Sequence, residues 1–385
     1  MTGKTWCSAL ALHQSDTVTD WTVLDAPAPT DTSVPEAWAL HGAARISKQV
    51  ELANWGHADL HYPAGYLAVE LNSGAYMIRR LLVAVSASAS ARPTADDVVG
   101  FAKVELPRGD NEHLAYVEVL VQPEHRRQGA GSALMARAEG FAREHGRTTL
   151  ISWGNQVGEP DPDSAGLAPP TGSGRLFPDS AEVAFGTAQG LVLEQAERYS
   201  MLRLPVDEVL LKHLHDGAAV RAGADYRIVA WQDRCPDEWV DQYAALRTRM
   251  STDAPIAELD IQEAPWDAAR VRDKESELAA ATMGHLVAAA EHVPTGALVA
   301  YTAVNFPLPW PEVVFQDDTL VARNHRGHRL GMLVKTELLR RLVDVRPDAK
   351  RIHTWNAEEN EHMLAINVAL GFAPMGVTGV WQKGL

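Results

Sequence analysis

The sequence predicts an α/β protein, of the α+β mixed-sheet kind, built as two consecutive lobes related by internal duplication, and three pairs of segments predict it. VLVQPEHRRQGAG (Val119 to Gly131) recurs two hundred positions later as TLVARNHRGHRLG (Thr319 to Gly331). At the same offset VVGFAKVELP (Val98 to Pro107) lies over LVAYTAVNFP (Leu298 to Pro307), and PEAW at Pro35 matches PDEW at Pro236 one residue off that spacing. Three matches in one order at nearly one offset mark the duplication of a whole domain.

In the first lobe Trp21 to Leu24 reads as a short strand, and Ser33 before Pro35 starts a helix that runs to Leu52. Tyr66 to Leu71, Met77 to Val85, Val98 to Leu106 and Tyr116 to Val121 are β-rich runs broken by turn residues. Ser132 to His145 has helical period, and Thr148 to Trp153 is a strand. Residues 154–180, rich in Gly, Pro, Asp and Ser, read as a loop or insertion with no counterpart in the second lobe. A short helix at Ala181 to Gly190 and a closing strand at Arg198 to Leu204 complete this lobe, so the boundary falls at Pro205, giving lobes of 1–205 and 206–385.

The second lobe repeats the order. Its strands are Arg227 to Trp231, His285 to Glu291, Ala297 to Val304, Val313 to Val321, Arg351 to Trp355 and Val377 to Gln382. Helices are expected from about Pro236 to Arg249, near Ala264 to Thr282, from Met332 to Val343 and from Glu358 to Leu370.

A chain of 385 residues with 46% hydrophobic side chains fits two cores, each expected to stand alone. A net charge of −15 excludes a general nucleic-acid binder, which needs a basic face. Cys7 and Cys235 lie in no CxxC or Cys/His cluster and read as free thiols. No window reaches the roughly 18 apolar residues of a membrane helix, and a cytoplasmic protein, monomer or homodimer, is expected.

The repeated turn carries the chemistry. An apolar strand that ends in a basic, glycine-bearing turn and opens a helix gathers free backbone N–H groups at the positive end of that helix, which makes an anion site. Gly129 and Gly131 would let the backbone approach a phosphate, and Arg126, Arg127, Arg326 and Arg329 add charge. The Walker lysine and hydroxyl are absent, so the expected ligand is a pyrophosphate held without metal.

The run VQPEHRRQGAGSALMARA resembles motif A of the GNAT acyltransferases, whose [Q/R]-x-x-G-x-[G/A] turn holds the pyrophosphate of coenzyme A; here the pattern falls on Arg126, Gly129 and Gly131. HTWNAEENEHMLAINVALGF (His353 to Phe372) resembles that family's later strand, asparagine and N-x(6)-Y-x(3)-G-F helix. The resemblance implies two consecutive GNAT folds and an acyl-CoA cofactor, acetyl-CoA or a longer one. On it the cofactor would be held by Arg126, Arg127, Gln128, Gly129, Ala130, Gly131 and Ser132 in lobe one. In lobe two the matching residues are Arg326, Gly327, His328, Arg329, Leu330 and Gly331, with Asn360. Two departures stand out: Arg329 replaces the first motif glycine of lobe two, and the tyrosine position holds Asn367 in lobe two and Gly186 in lobe one.

The resemblance further implies direct attack of an amine on a thioester, with no covalent enzyme intermediate. Backbone N–H groups at Leu120 and Val121, or Leu320 and Val321, are expected to hold the thioester carbonyl. Glu118 and Asp318, each eight residues before the motif arginine, relay a proton or bind the cationic amine, or else are strand carboxylates satisfied by backbone or arginine. His353 is the candidate general base, or a core histidine, and Asn356 and Asn367 are orienting groups. Lobe two, with the fuller acceptor-side set, is the expected catalytic lobe.

The partner expected is a small-molecule amine. Two other readings stay open: a carrier-protein pantetheine thioester as donor, and a non-catalytic acyl-CoA sensor.

Overall fold

A computed structural model describes residues 21–87, 92–161 and 163–385. Lobe one contributes β1 (Trp21–Asp25), α1 (Trp38–Trp55), α2 (Ala64–Asn72), β2 (Met77–Ser86), β3 (Val98–Pro107), β4 (Leu114–Val121), α3 (Ala130–Glu144), β5 (Thr149–Val157), α4 (Ala181–Ala188) and β6 (Val192–Arg203). Lobe two contributes α5 (Glu208–Ala222), β7 (Tyr226–Gln232), α6 (Val240–Asp253), α7 (Ala268–Ala280), β8 (Met283–His292), β9 (Ala297–Pro307), β10 (Val313–Val321), α8 (Leu330–Val345), β11 (Arg351–Ala357), α9 (Glu361–Leu370) and β12 (Ala373–Gly384). Cys7 lies outside the described residues; Cys235 is a buried free thiol.

Two expectations need correction. Residues 66–71, read as a strand, belong to α2: Pro63 sets the N-cap, and Leu67 and Ala68 pack with Leu40 and Ile46 of α1 in one core. Their Tyr, Leu and Val content suits a strand, but burial against α1 decides for a helix. The sequence reading also missed α5, which packs on α8 through Ala218 and Ala222 beside Leu330, Leu333 and Val334.

The strands form one twelve-stranded sheet in the order β1-β2-β3-β4-β5-β12-β6-β11-β10-β9-β8-β7, with helices on both faces. The last strand of each lobe is therefore exchanged. β12 pairs antiparallel with β5 of lobe one, β6 pairs antiparallel with β11 of lobe two, and the two exchanged strands pair with each other. Each sheet half is thus completed by the other lobe's chain, so the two cores share strands where separate closure of each lobe was expected.

The loops over the sheet are exchanged too. Asp59, between α1 and α2, binds Arg351 at the start of β11 at 2.5 Å, while Asp260, between α6 and α7, accepts from Thr149 at the start of β5 at 3.1 Å. Leu259 packs with Leu114, Ile151 and Val380, so lobe two supplies part of the cover of lobe one.

Candidate functional site

In each lobe the central pair of strands is parallel and then diverges. β4 and β5 are in register from Leu114↔Thr149 to Val117↔Ser152, and β10 and β11 from Val313↔Arg351 to Phe315↔His353. Beyond those points each pair leaves a gap. In an antiparallel ladder alternate residues turn their amides to the same neighbour. Gln122 N–H donates to Val99 and Ala322 N–H to Val299, so Leu120 and Leu320, two residues back, also face β3 and β9. Their amides are spent in the ladder, which corrects the expected use of both; the amides facing the gaps are those of Val119 and Val121, and of Thr319 and Val321.

The turn that follows has one shape in both lobes. Arg127 and Gly129 have φ of 61° and 90°, Gly327 and Arg329 φ of 85° and 56°. Arg329 thus tolerates the turn by taking the left-handed conformation itself. The amides of Ala130, Gly131 and Ser132, and of Leu330, Gly331 and Met332, open their helices without intrahelical acceptors. Gly131 and Gly331 serve packing rather than phosphate approach: a Cβ would sit 3.0 Å from the Phe185 ring and 3.0 Å from Ile366 respectively.

The surroundings of the two turns differ. In lobe one Arg126 donates only to the Val121 carbonyl, at 3.3 Å, and among the described ion pairs neither Arg126 nor Arg127 has a carboxylate. The Trp21 indole N–H binds the Gln128 carbonyl at 2.6 Å, which turns that acceptor away from an incoming anion; Gln189 donates to the Ser132 hydroxyl at 3.0 Å. In lobe two Asp253 pairs with Arg323 at 2.8 Å and with Arg326 at 3.4 Å. His328 lies 5.3 Å from the Tyr226 ring. A pyrophosphate fits the donor set of lobe one, whereas in lobe two it must first displace Asp253.

On the opposite side of the gap, in lobe one, is a cavity of about 280 Å³. It is lined by Tyr62, Lys103, Glu105, Tyr116, Val117, Glu118, Trp153, Asn155 and Glu197, and by Trp355 and Thr378 of lobe two. Cross-strand register explains the lining, because Asn155↔Thr378 and Thr378↔Glu197 form one row across β5, β12 and β6, and paired residues share a face. The Tyr62 hydroxyl donates to Glu118 at 2.9 Å. Burial pushes the Glu118 carboxyl upward, and Lys103 only partly opposes it. Lys103 is committed to Glu70 at 2.9 Å, and Glu105 to Arg79 at 2.9 Å. Glu197 has neither a hydrogen bond nor an ion pair among the described residues; burial, with Glu359 nearby, pushes it up to about 7.

The matching place in lobe two is filled. Two residues of β10, Asp317 and Asp318, bulge opposite β9, and Arg247 of α6 reaches both, at 3.2 and 3.5 Å. Tyr301 donates to Asp318 at 3.0 Å. Burial and the adjacent Asp317 raise Asp318, while Arg247 holds Asp317 ionised. Asp318 is therefore a carboxylate satisfied by arginine and tyrosine.

His353, the candidate base, is fully buried: Tyr199 O–H lies 2.7 Å from Nδ1 and Asp59 3.1 Å from Nε2. With Nε2–H donating to Asp59 and Nδ1 accepting from Tyr199, both ring nitrogens are used, so His353 holds the lobes together and reaches no substrate. Asn367 donates to Asn356 at 2.7 Å, and the Asn367 carbonyl oxygen is buried without a partner. Asn360 caps α9 by accepting from Met363 N–H, a structural role in place of the expected cofactor contact. Gly186 abuts Trp381, whose ring lies 3.1 Å from where a Cβ would stand, so no tyrosine fits there.

Sequence reasoning missed Glu197, Lys103 and Tyr62. Glu197 left one signal, an acid at alternate spacing from Tyr199 and Met201 in VLEQAERYSMLR.

Residues 65–168 match the model of the Acetyltransferase (GNAT) family. Among solved structures, a tandem GNAT protein from the clavulanic acid biosynthesis pathway, without AcCoA, is 25% identical with a TM-score of 0.69, over 95% of this chain and 98% of that one. A GCN5-related N-acetyltransferase from Sphaerobacter thermophilus shares the fold at 14% identity and a TM-score of 0.57, over 94% and 95% of the two chains. No curated protein matches in sequence. The family's model thus falls on lobe one, and the whole chain, with the same turn in both lobes, is similar in fold to a tandem GNAT protein.

Proposed function

We propose that the protein is an N-acyltransferase that moves an acyl group from acyl-CoA to a primary amine of a small molecule, and that lobe one does this work. The carrying observation is the cavity beside the β4–β5 gap, with Glu118 in its lining, together with an anion turn whose arginines pair with no carboxylate among the described residues. Lobe two, preferred on sequence, has Arg247 and Asp253 in the corresponding places.

An acyl-CoA supplies an activated carbonyl and a thiolate leaving group. In this reading the pyrophosphate rests on the amides of Ala130, Gly131 and Ser132 with Arg126 and Arg127 beside them. The gap-facing amides of Val119 and Val121 are the available donors for a carbonyl oxygen. Glu118, raised by burial and oriented by Tyr62, accepts a proton from the ammonium form of the acceptor, which frees its lone pair for attack.

The test is thiol release from acetyl-CoA over a panel of small amines. Turnover in the wild type and a loss of about 100-fold or more in Glu118→Gln support the reading. Coenzyme binding without turnover on any amine overturns it in favour of an acyl-CoA sensor, and turnover only with a pantetheine-loaded carrier protein moves the donor to that class.

A further inference from the structure

The cavity has two acidic ends, and only one is used by the reaction proposed above. Glu118 stands on β4 and Glu197 on β6, with β5 and β12 between them. Three strand spacings, widened by the β4–β5 gap, put the two backbones at least about 14 Å apart across the sheet, and both residues line one cavity. Trp153, Asn155 and Thr378 stand between, and Tyr116 and Trp355 add aromatic rings to the lining.

The charges around this trough do not cancel within the protein. Lys103, the one cation lining it among the described residues, is taken by Glu70 and lies 4.1 Å over the Tyr62 ring. Glu105 is taken by Arg79. The neighbour of Glu197 along the strand, Arg198, points to the other face and binds Glu358. A half-buried carboxylate that lines a cavity without a counter-charge carries a desolvation cost, and a cationic ligand is a partner that removes it. Aromatic faces attract the same charge.

We infer that the acceptor carries a second cationic group, seated at Glu197 while the reacting amine lies at Glu118, which makes a linear α,ω-diamine the simplest member of the substrate class. This rests on the acyl-transfer reading of the same site. The elevated Glu197 carboxyl is consistent with it, since a carboxylate built to meet a cation lacks one when the site is empty. The volume, at the small end of ligand pockets, suits an aliphatic chain and excludes a macromolecular acceptor segment of any bulk.

The experiment compares 1,6-diaminohexane with hexylamine as acceptors of the acetyl group, in wild type and Glu197→Gln. The expected result is a kcat/KM preference for the diamine of about tenfold or more in the wild type, carried in KM, collapsing toward parity in Glu197→Gln. Equal use of both amines by the wild type, or an undiminished preference in Glu197→Gln, overturns the inference while leaving acyl transfer intact. Should neither amine be turned over, calorimetric titration of the diamine decides. Binding weakened about tenfold by Glu197→Gln sustains a dication site without the chemistry, and no binding by the wild type overturns it.

Discussion

Arg329 and Gly129 occupy the same left-handed backbone position, with φ of 56° and 90°, at the openings of equivalent helices. Two residues earlier the residue types reverse, Gly327 at 85° and Arg127 at 61°. Each lobe therefore keeps one glycine and one arginine in a turn that demands two left-handed residues. The conformation is what recurs, and the glycine pattern is only its partial trace.

A left-handed conformation costs a non-glycine residue about 1–2 kcal/mol, and the greater freedom of glycine in the unfolded chain returns about 0.5–1 kcal/mol of any gain. Arg329→Gly and Arg127→Gly are each expected to stabilise the protein by about 0.5–1 kcal/mol, read from the midpoint of urea unfolding. Gly129→Ala should destabilise by a similar amount. Destabilisation by both arginine replacements would show that their side chains contribute more than their backbones cost.

Coenzyme stoichiometry follows from the partners of the two turns. Among the described residues Arg126 of lobe one pairs with no carboxylate, whereas in lobe two Asp253 holds Arg323 and Arg326. Calorimetric titration of coenzyme A is expected to give one site per chain, lost in Arg126→Glu and kept in Arg326→Glu. Asp253→Asn is expected to open a second, weaker site. Loss of binding in Arg326→Glu alone would return the cofactor to lobe two.

The duplication and the mixed α/β fold were legible because the apolar-strand, basic-turn, glycine pattern and the β3/β9 segments survive at one offset. The shape of the repeated turn was legible for the same reason. Strand exchange was not: the pattern of β12 declares a strand with one apolar face but does not name β5 as its neighbour. The surroundings of the lobe-two candidates were not legible: Asp318 and His353 are the right residue types, and their types reveal nothing about Arg247, Tyr301, Asp59 or Tyr199, which occupy them from distant parts of the chain. Glu197 was passed over because it belongs to no motif; only the exchanged pairing with β11 and β12 brings it to a cavity of lobe one.

Behind Glu118, Glu51 of α1 is buried with one carboxyl oxygen unpartnered, and burial together with the Glu118 charge raises it to about 8. Its folded pKa lies above its unfolded value near 4.5, so the folded state holds the proton more tightly. Stability from this group is whole below about pH 4.5 and is lost as pH rises toward 8. Glutamine mimics the protonated form. Glu51→Gln is expected to be near neutral in stability at pH 5 and to exceed the wild type by on the order of 2 kcal/mol at pH 8.5, after discounting the full shift. Equal pH dependence in the two proteins would show that Glu51 is ionised in the fold.

The exchange of β6 and β12 predicts how the chain tolerates being cut. A fragment of residues 1–205 keeps β5 and β6 but lacks the strand that lies between them, so two long edges are exposed in the middle of a sheet. It also lacks Trp381, which fills the space beside Gly186 and Gly154 and joins Val183 and Leu193 in the core; emptying a tryptophan site costs about 3–5 kcal/mol. The fragment is therefore expected to aggregate when expressed alone, despite a length ample for a domain. Co-expression with residues 206–385 should restore a soluble one-to-one complex, because the missing strands then arrive from the partner fragment. A folded, monomeric 1–205 with cooperative unfolding would mean that β5 and β6 pair directly when β12 is absent, and that the exchange is a late addition to a lobe already able to close on itself.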